Sequence, residues 1–548
     1  MYGRIGDEEL GVSSIDPLLS DYERRAFADE VSYEPRRAMA APTVQPQHDE
    51  ASGLSSLHIL TLNCWGLKYI SKYHSERLSE IGKRLAAHEP ALDIVGLQEC
   101  WTYSDYQAIR DATRSVLPYG KFYHSGIFGG GLVILSRFPF IESSMFRYPL
   151  NGRPTAFFRG DWYVGKGVAC ARLRLPDKQI LEVFNTHLHA PYEKEPNDSY
   201  ICHRTAQAWE IAKLMKDARA RGSLVVGLGD FNMVPMSFAH VLIESRGNVA
   251  DVWRQLKPGS SIGASTDVAE ADRRNRLHLP GRPDVEESLL EHGHTCDTVL
   301  NTWRWNKAHR EALLKKGLDR EIAMSEPDPR AKRLDYIFFG GLDEGWKVRD
   351  VKVALTERHP TIRCSLSDHF AVETTITRST SSIKSPSSTE SLVEVEALGP
   401  LQRPRGDSIT ADIVSMEGKD LNHVVSNTPT RTTIAPSFYE RILAMIEKYT
   451  LRERKQRRWR LLHFVGSAIF SISSFAAVWW STYNFVAFVL LLISTFGIMA
   501  GTIDGLIGGL FVGSELRALN EFEWEVRNAL QLEGGPAVEE RPLRDWYD

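Results

Sequence analysis

Six short stretches of this chain end an apolar run on an acid, an amide or an imidazole. Residues 57–62 lead into Asn63, 94–98 into Glu99, 181–186 into His187, 224–229 into Asp230 with Asn232 just beyond, 333–334 into Asp335, and 365–367 into Asp368 and His369. Those are the groups that hydrolysis of a phosphodiester calls for. Its negative charge repels a nucleophile and its alkoxide leaves poorly, so catalysis needs a divalent cation, an activated water and a proton for the leaving oxygen. Glu99 suits direct contact with Mg²⁺, a hard oxygen for a hard ion, and Asn63 stands to orient it. His369 is the natural base for the attacking water, with Asp335 available to fix its tautomer. Asp230 would position that water or hand a proton to the leaving group. Asn232 and His187 would donate hydrogen bonds to phosphoryl oxygens as charge builds. Taken singly, each residue reads equally well as a turn or strand end; six together read as one site.

Such tips need strands to carry them, and the chain from residue 57 supplies strands alternating with amphipathic segments. The spacing predicts helices over 75–88, with Leu78, Ile81, Leu85 and Ala86 on one face and Pro90 beyond, over 105–117, and over 204–219, where Ala208, Ile211, Ala212 and Met215 align. Strands are expected over 131–136, 167–173 and, last, 371–377. This alternation implies an α/β domain over 57–377. Residues 257–330, rich in charge, Gly and Pro, read as an insertion ordered near Cys296 and Trp303. His294, Cys296 and Asp297 lie close together there, but no second His/Cys pair supports zinc, so they are assigned to structure with a contact to the site's rim.

At 548 residues the chain can hold two or three domains, and a net charge of −4 gives no general case for nucleic acid. Six dispersed cysteines in no CxxC pattern fit a reducing compartment. Residues 1–56 have no apolar run at their start resembling a secretory signal and read as disordered. Residues 378–436 are dominated by Ser, Thr and Pro and read as a flexible linker.

The C-terminal part is of another kind. Residues 461–480 contain no Asp, Glu, Lys or Arg, enough to cross the roughly 30 Å hydrocarbon layer of a bilayer as a helix. A second apolar run, 485–513, is interrupted once by Asp504, which is expected at the headgroups. The segment before the first crossing, 437–460, is a basic juxtamembrane helix. Arg454, Lys455, Arg457 and Arg458 within it place that side in the cytosol by the positive-inside rule and suit anionic phospholipid. Two crossings return the tail, 514–548, to the same side, so the catalytic domain is expected to be cytosolic. Gly497, Gly501, Gly505, Gly509 and Gly513 recur every four residues and are expected to pack against the first helix or against a second protomer.

The ordered motifs around Asn63, Glu99, His187, Asp230 with Asn232, Asp335 and Asp368 with His369 resemble those of the endonuclease/exonuclease/phosphatase superfamily. Within it, the chain is similar to neutral sphingomyelinases and, with its C-terminal pair of membrane helices, to the fungal inositol phosphosphingolipid phospholipases C. The resemblance implies a four-layer sandwich of two mixed β-sheets flanked by helices. It also implies Mg²⁺ dependence and cleavage of a sphingolipid phosphodiester on its ceramide side, with anionic phospholipid as an activator. It places Glu99, Asn63 and Asp368 about the metal and His369 as base, with Asp230, Asn232, His187 and Asp335 around them. Asp161 and Lys166, flanked by glycines, resemble a P-loop-like segment linked to substrate engagement. No Ser or Thr follows Lys166, so nucleotide binding is not expected. Endoplasmic reticulum and mitochondrial membranes both fit the resemblance.

Three alternatives are weighed against this reading. A nuclease is disfavoured by the near-neutral charge and the membrane hairpin. An inositol polyphosphate phosphatase is disfavoured by residues 333–338, which lack the expected motif. An inactive scaffold is disfavoured because all six tips keep their polar residues.

Overall fold

The computed structural model describes residues 54–68, 70–156, 159–193, 198–378 and 434–534. The N-terminal segment up to residue 53, the linker over 379–433 and the chain's end over 535–548 lie outside the described residues.

Period-two alternation builds the core. In β1 (Ser56–Asn63), Leu57 and Ile59 face one apolar cluster while Leu60 and Leu62 face another. The remaining strands are β2 (Ile94–Gln98), β3 (Tyr119–Tyr123), β4 (Leu132–Ser136), β5 (Phe140–Arg147), β6 (Gly167–Arg174), β7 (Ile180–His187), β8 (Leu224–Asp230), β9 (Ala250–Asp251), β10 (Asp335–Gly340), β11 (Trp346–Ala354) and β12 (Ala371–Arg378), and the same parity runs through β2, β4, β6, β7, β8 and β10. Together the strands form two six-stranded sheets, ordered β11-β12-β1-β2-β4-β3 and β5-β6-β7-β8-β10-β9. Each is mixed, with β1–β2 and β7–β8 parallel.

The sheets meet face to face through Ile59, Ile94, Ile134, Val183, Val226, Leu228 and Ile337. On the outer face of the first sheet lie α1 (His74–Ala86) and α2 (Tyr103–Thr113), through Leu78, Ile81, Leu85 and Ile109. On the second lie α3 (Ile201–Ala220) and α4 (Phe238–Gly247), through Ala208, Ile211, Met215 and Ile243. The result is the expected four-layer α/β sandwich. Helix α2 stops at Thr113, short of the predicted 117, and the backbone N–H groups of Val116 and Leu117 close onto the Thr113 carbonyl in a turn before Pro118. Helix α3 begins three residues before the predicted 204.

The C-terminal helices differ from expectation in two respects. Residues 437–460 and 461–480 are not separate helices: α5 (Pro436–Trp479) is one helix of 44 residues with Pro436 at its first turn. After α6 (Asn484–Leu506) and a π-turn, Ile507–Phe511, the chain continues as α7 (Val512–Leu532). Within the segment expected as a tail, residues 514–532 are helical and pack with α5 on the α/β domain. Trp209, Phe238 and Leu242 join Phe438, Tyr439, Ile442 and Ile446 of α5 and Leu519, Phe522 and Val526 of α7 in one buried cluster. Both helical runs, 436–479 and 484–532, are long and apolar enough to cross a membrane.

The glycine face narrows to two close contacts with α5. A Cβ on Gly501 would lie 2.5 Å from Ser467 Cβ, and one on Gly505 would lie 2.9 Å from the Phe464 ring, whereas Gly497 faces open space. Asp504 is paired across the hairpin with Arg460, and with His463 Nδ1 at 2.7 Å.

Candidate active site at the strand tips

Parity decides what reaches the site. Asn63 shares its face of β1 with Leu57 and Ile59, His187 shares its face of β7 with Leu181 and Val183, Asp230 follows Val226 and Leu228, and Asp335 precedes Ile337. Each inward-facing apolar row thus ends on a polar group aimed into the space between the sheets. Beneath them two buried amides join the sheets: Gln98 Nε2 donates to Asn185 Oδ1 at 2.8 Å, and Asn185 Nδ2 donates to the carbonyls of Leu97 and Val133.

Around this floor the expected residues converge. Asn63 Nδ2 donates to Asp230 Oδ2 at 2.9 Å and to Glu99 Oε1 at 3.2 Å. Asp230 Oδ2 stands 3.5 Å from His187 Nε2 and 3.9 Å from His369 Nε2. His369 Nδ1 is bonded to Asp335 Oδ2 at 2.8 Å, which also accepts from Thr295 Oγ1 at 2.5 Å. The Asn232 backbone N–H donates to Asp230 Oδ1, and its side-chain amide donates to the Leu188 carbonyl at 3.1 Å. Lys166 Nζ donates to that same carbonyl at 2.9 Å and pairs with Asp161 at 3.1 Å, so the Asp161–Lys166 segment touches the site through Leu188.

Trp65, Glu99, Asn232 and Asp297 all hold left-handed backbone angles, with φ of 48, 54, 46 and 60°. Non-glycine residues rarely adopt these; seven other non-glycine residues among those described share them.

Electrostatics separates the groups. Burial lowers the His187 imidazole to about 3, with Lys166 adding to the effect against Asp230, so it is neutral and can donate without charge. Burial would also lower His369, but Asp335, Cys296 and Asp230 outweigh it and hold this imidazole well above its ordinary value. Glu99 is pushed up to about 7, by burial first and then by Asp368, with Asn63 opposing. Its Oε2 is buried and accepts no hydrogen bond. An unpaired carboxylate oxygen beside a second carboxylate fits a hard divalent cation.

Asp230, Asp335 and His369 also bring ligand atoms within 4.8 Å of one another. In that trio, however, Asp335 Oδ2 is taken up by His369 and Thr295. Glu99 could therefore offer a cation its unpaired oxygen, whereas in the trio only Asp335 and His369 are hydrogen-bonded to each other, Asp230 standing 3.9 Å from the imidazole.

Sequence reasoning missed the scaffold of the site. Arg77, fully buried on α1, donates to the carbonyls of Cys64, Trp65 and Leu366, tying the loops that carry Asn63 and His369. Thr295 and Asn301, the latter donating to the Ser367 carbonyl, bring the insertion into the wall of the cleft. Cys296 forms isolated β-bridges with Lys332 and His369, the rim contact expected of it. Asp368, partly exposed, lies 3.9 Å from Arg304. Arg454, Lys455, Arg457 and Arg458 lie on α5, far along the chain from the strand tips.

The model of the endonuclease/exonuclease/phosphatase family matches residues 60–369. An inositol phosphosphingolipids phospholipase C of Schizosaccharomyces pombe is 37% identical over 474 residues, 86% of this chain and 93% of the relative. Its namesake in Saccharomyces cerevisiae is 33% identical over 501 residues, 86% and 90% of the two chains. Human sphingomyelin phosphodiesterase 2 is 34% identical over 201 residues, 37% of this chain and 47% of that one.

Proposed function

Because the chain belongs to the endonuclease/exonuclease/phosphatase family, in its branch of inositol phosphosphingolipid phospholipases C and neutral sphingomyelinases, we propose that it is a Mg²⁺-dependent phospholipase C acting on sphingolipid phosphodiesters. Water attacks phosphorus, the bond to the ceramide oxygen breaks, and ceramide and a phosphorylated headgroup result. The observation that carries this reading is the meeting of Asn63, Glu99, His187, Asp230, Asp335 and His369 at one end of the paired sheets.

Glu99, with Asn63 and Asp368 beside it, would hold Mg²⁺, which when bound would supply positive charge to offset that of the phosphodiester. Asp335 fixes the Nδ1 proton of His369 and leaves Nε2 facing the reacting space. There His369 takes the proton of the attacking water, and the carboxylates that raise its affinity for protons make it a strong base once free. Asp230 positions the water or passes a proton to the departing ceramide oxygen. His187 and Asn232 donate to the phosphoryl oxygens as negative charge grows. The α5–α6 hairpin holds the domain at the cytosolic leaflet. Asp161 and Lys166 engage the substrate, and Arg454, Lys455, Arg457 and Arg458 meet anionic lipid, which activates.

The test is purified full-length protein with Mg²⁺, inositol phosphosphingolipid, sphingomyelin, inositol polyphosphate and duplex DNA, each product assayed. Ceramide release from a sphingolipid is expected; free phosphate or nicked DNA without ceramide would contradict the reading.

A further inference from the structure

Between β3 and β4 the chain makes a loop, residues 124–131, whose tip carries two adjacent large apolar side chains, Ile127 at 71% and Phe128 at 64% exposure. Both ends of the loop are clamped. Gly126 lies so close to the Asp161–Val164 turn that a Cβ would sit 2.3 Å from the Val164 carbonyl oxygen. Gly131, at φ 63°, packs on Glu99 and Trp101, where a Cβ would lie 3.2 Å from Glu99 Cα. The Ile127 backbone N–H donates to the Tyr163 carbonyl, and Ser125 Oγ donates to that of Gly165. The tip is therefore a fixed projection joined at one end to the candidate metal ligand.

A run of rings connects it to the hairpin. Phe128 is 6.4 Å from Tyr163, Tyr163 is 4.9 Å from Trp162, and Trp162 is 4.8 Å from Phe511, at the end of the π-turn that closes α6. Phe511 lies about 10 Å of helix rise beyond Asp504, on the side away from the apolar crossing, so the run of rings meets the hairpin just outside the headgroup level expected of Asp504. Apolar exposure continues along this stretch at Leu506 and Leu510.

We infer that Ile127 and Phe128 are a lipid-contacting wedge that enters the leaflet from which substrate is drawn, fixing the height of the Glu99 side of the cleft above the bilayer. The inference rests on the membrane anchoring proposed above. Continuity with the hairpin selects the occupant: a surface joined to a membrane helix by packed rings meets the same bilayer.

Full-length protein with Phe128→Cys carrying an environment-sensitive dye is reconstituted in phosphatidylcholine/phosphatidylserine vesicles, with and without lipid bearing a shallow nitroxide. The reference carries the dye at Asp111, exposed on α2. Quenching at position 128 at least threefold above that at 111 is expected; equal quenching overturns the wedge, as does shielding at 128 that grows with protein density in the vesicle, which would mean a second copy covers it. The double variant I127S/F128S should lose about tenfold more activity on vesicle-borne sphingolipid than on a short-chain soluble analogue, and equal losses on the two would also overturn the wedge. Quenching needs no turnover, so failure of the proposed activity leaves that test intact.

Discussion

Asp161 and Glu515 are both buried carboxylates, separated by the packed rings of His189, Tyr200 and His203, yet their affinities for protons are shifted in opposite directions. On the catalytic side, burial works against the Asp161 charge, but Lys166 and His189 outweigh it, and Tyr192 Oη donates at 2.5 Å, so its carboxyl falls to about 2. On the docking side, Glu453 of α5 and Glu515 of α7 are each pushed to about 7 by burial. The charged and titratable neighbours there are His203, Arg153, Arg452 and Tyr449. The two glutamates share them incompletely, leaving Glu453 Oε2 and Glu515 Oε2 without partners. At the Asp161–Lys166 pair, charge is matched within the domain; at the seam with α5 and α7, burial raises the affinity of Glu453 and Glu515 for protons.

The largest expected effect lies on the catalytic side. His369→Ala should lower turnover by roughly 10³-fold with folding retained, the scale of a lost general base; steady-state ceramide release and circular dichroism together check this. Next, Lys166→Met leaves Asp161 buried without its cation, an expected loss of about 3–5 kcal/mol, read in chemical denaturation. A smaller loss would show that His189 and Tyr192 suffice and would blunt the contrast.

Within the hairpin, Gly501→Leu forces a side chain where Ser467 lies 2.5 Å from the Cβ position, at an expected cost of about 1–3 kcal/mol. Its effect should appear as hairpin separation in detergent, by cysteine cross-linking between α5 and α6, with soluble-substrate turnover little changed. The subtlest expectation concerns pH. Because Glu453 and Glu515 bind protons more tightly when docked, docking is strongest below the ordinary glutamate range and weakens as pH rises through about 7. Asp161 has the opposite sign, its contribution being complete above the ordinary aspartate range and lost only as pH falls toward 2. E453Q/E515Q should therefore flatten thermal stability between pH 5 and 8, and an unchanged slope would sink the contrast.

What could be read from the sequence followed from local pattern. The run closing on Asp230 announced β8, and the apolar runs ending on Asn63, His187, Asp230 and Asp335 put these groups at strand tips. Which face of a strand turned inward was not legible where both faces are apolar, as in β1. Edge strand β5 escaped notice because its side chains are mostly exposed and its alternation is weak. Thr295 and Gln98 escaped because their partners, Asp335 and Asn185, lie 40 and 87 residues away, where no local period reports a contact. Helix α7 carried its own signal, with Leu519, Phe522, Val526 and Ala529 at helical spacing. The neighbouring membrane run drew attention from it.

The most direct test of the strand-tip site is hydrolysis of inositol phosphosphingolipid in ¹⁸O-water by full-length protein with Mg²⁺, both products weighed by mass spectrometry. One ¹⁸O in the headgroup phosphate and none in ceramide, with release of both products lowered roughly 10³-fold in His369→Ala, is the expected result. Label in ceramide, or undiminished labelling of the headgroup by the variant, would contradict water attack on phosphorus with His369 as base.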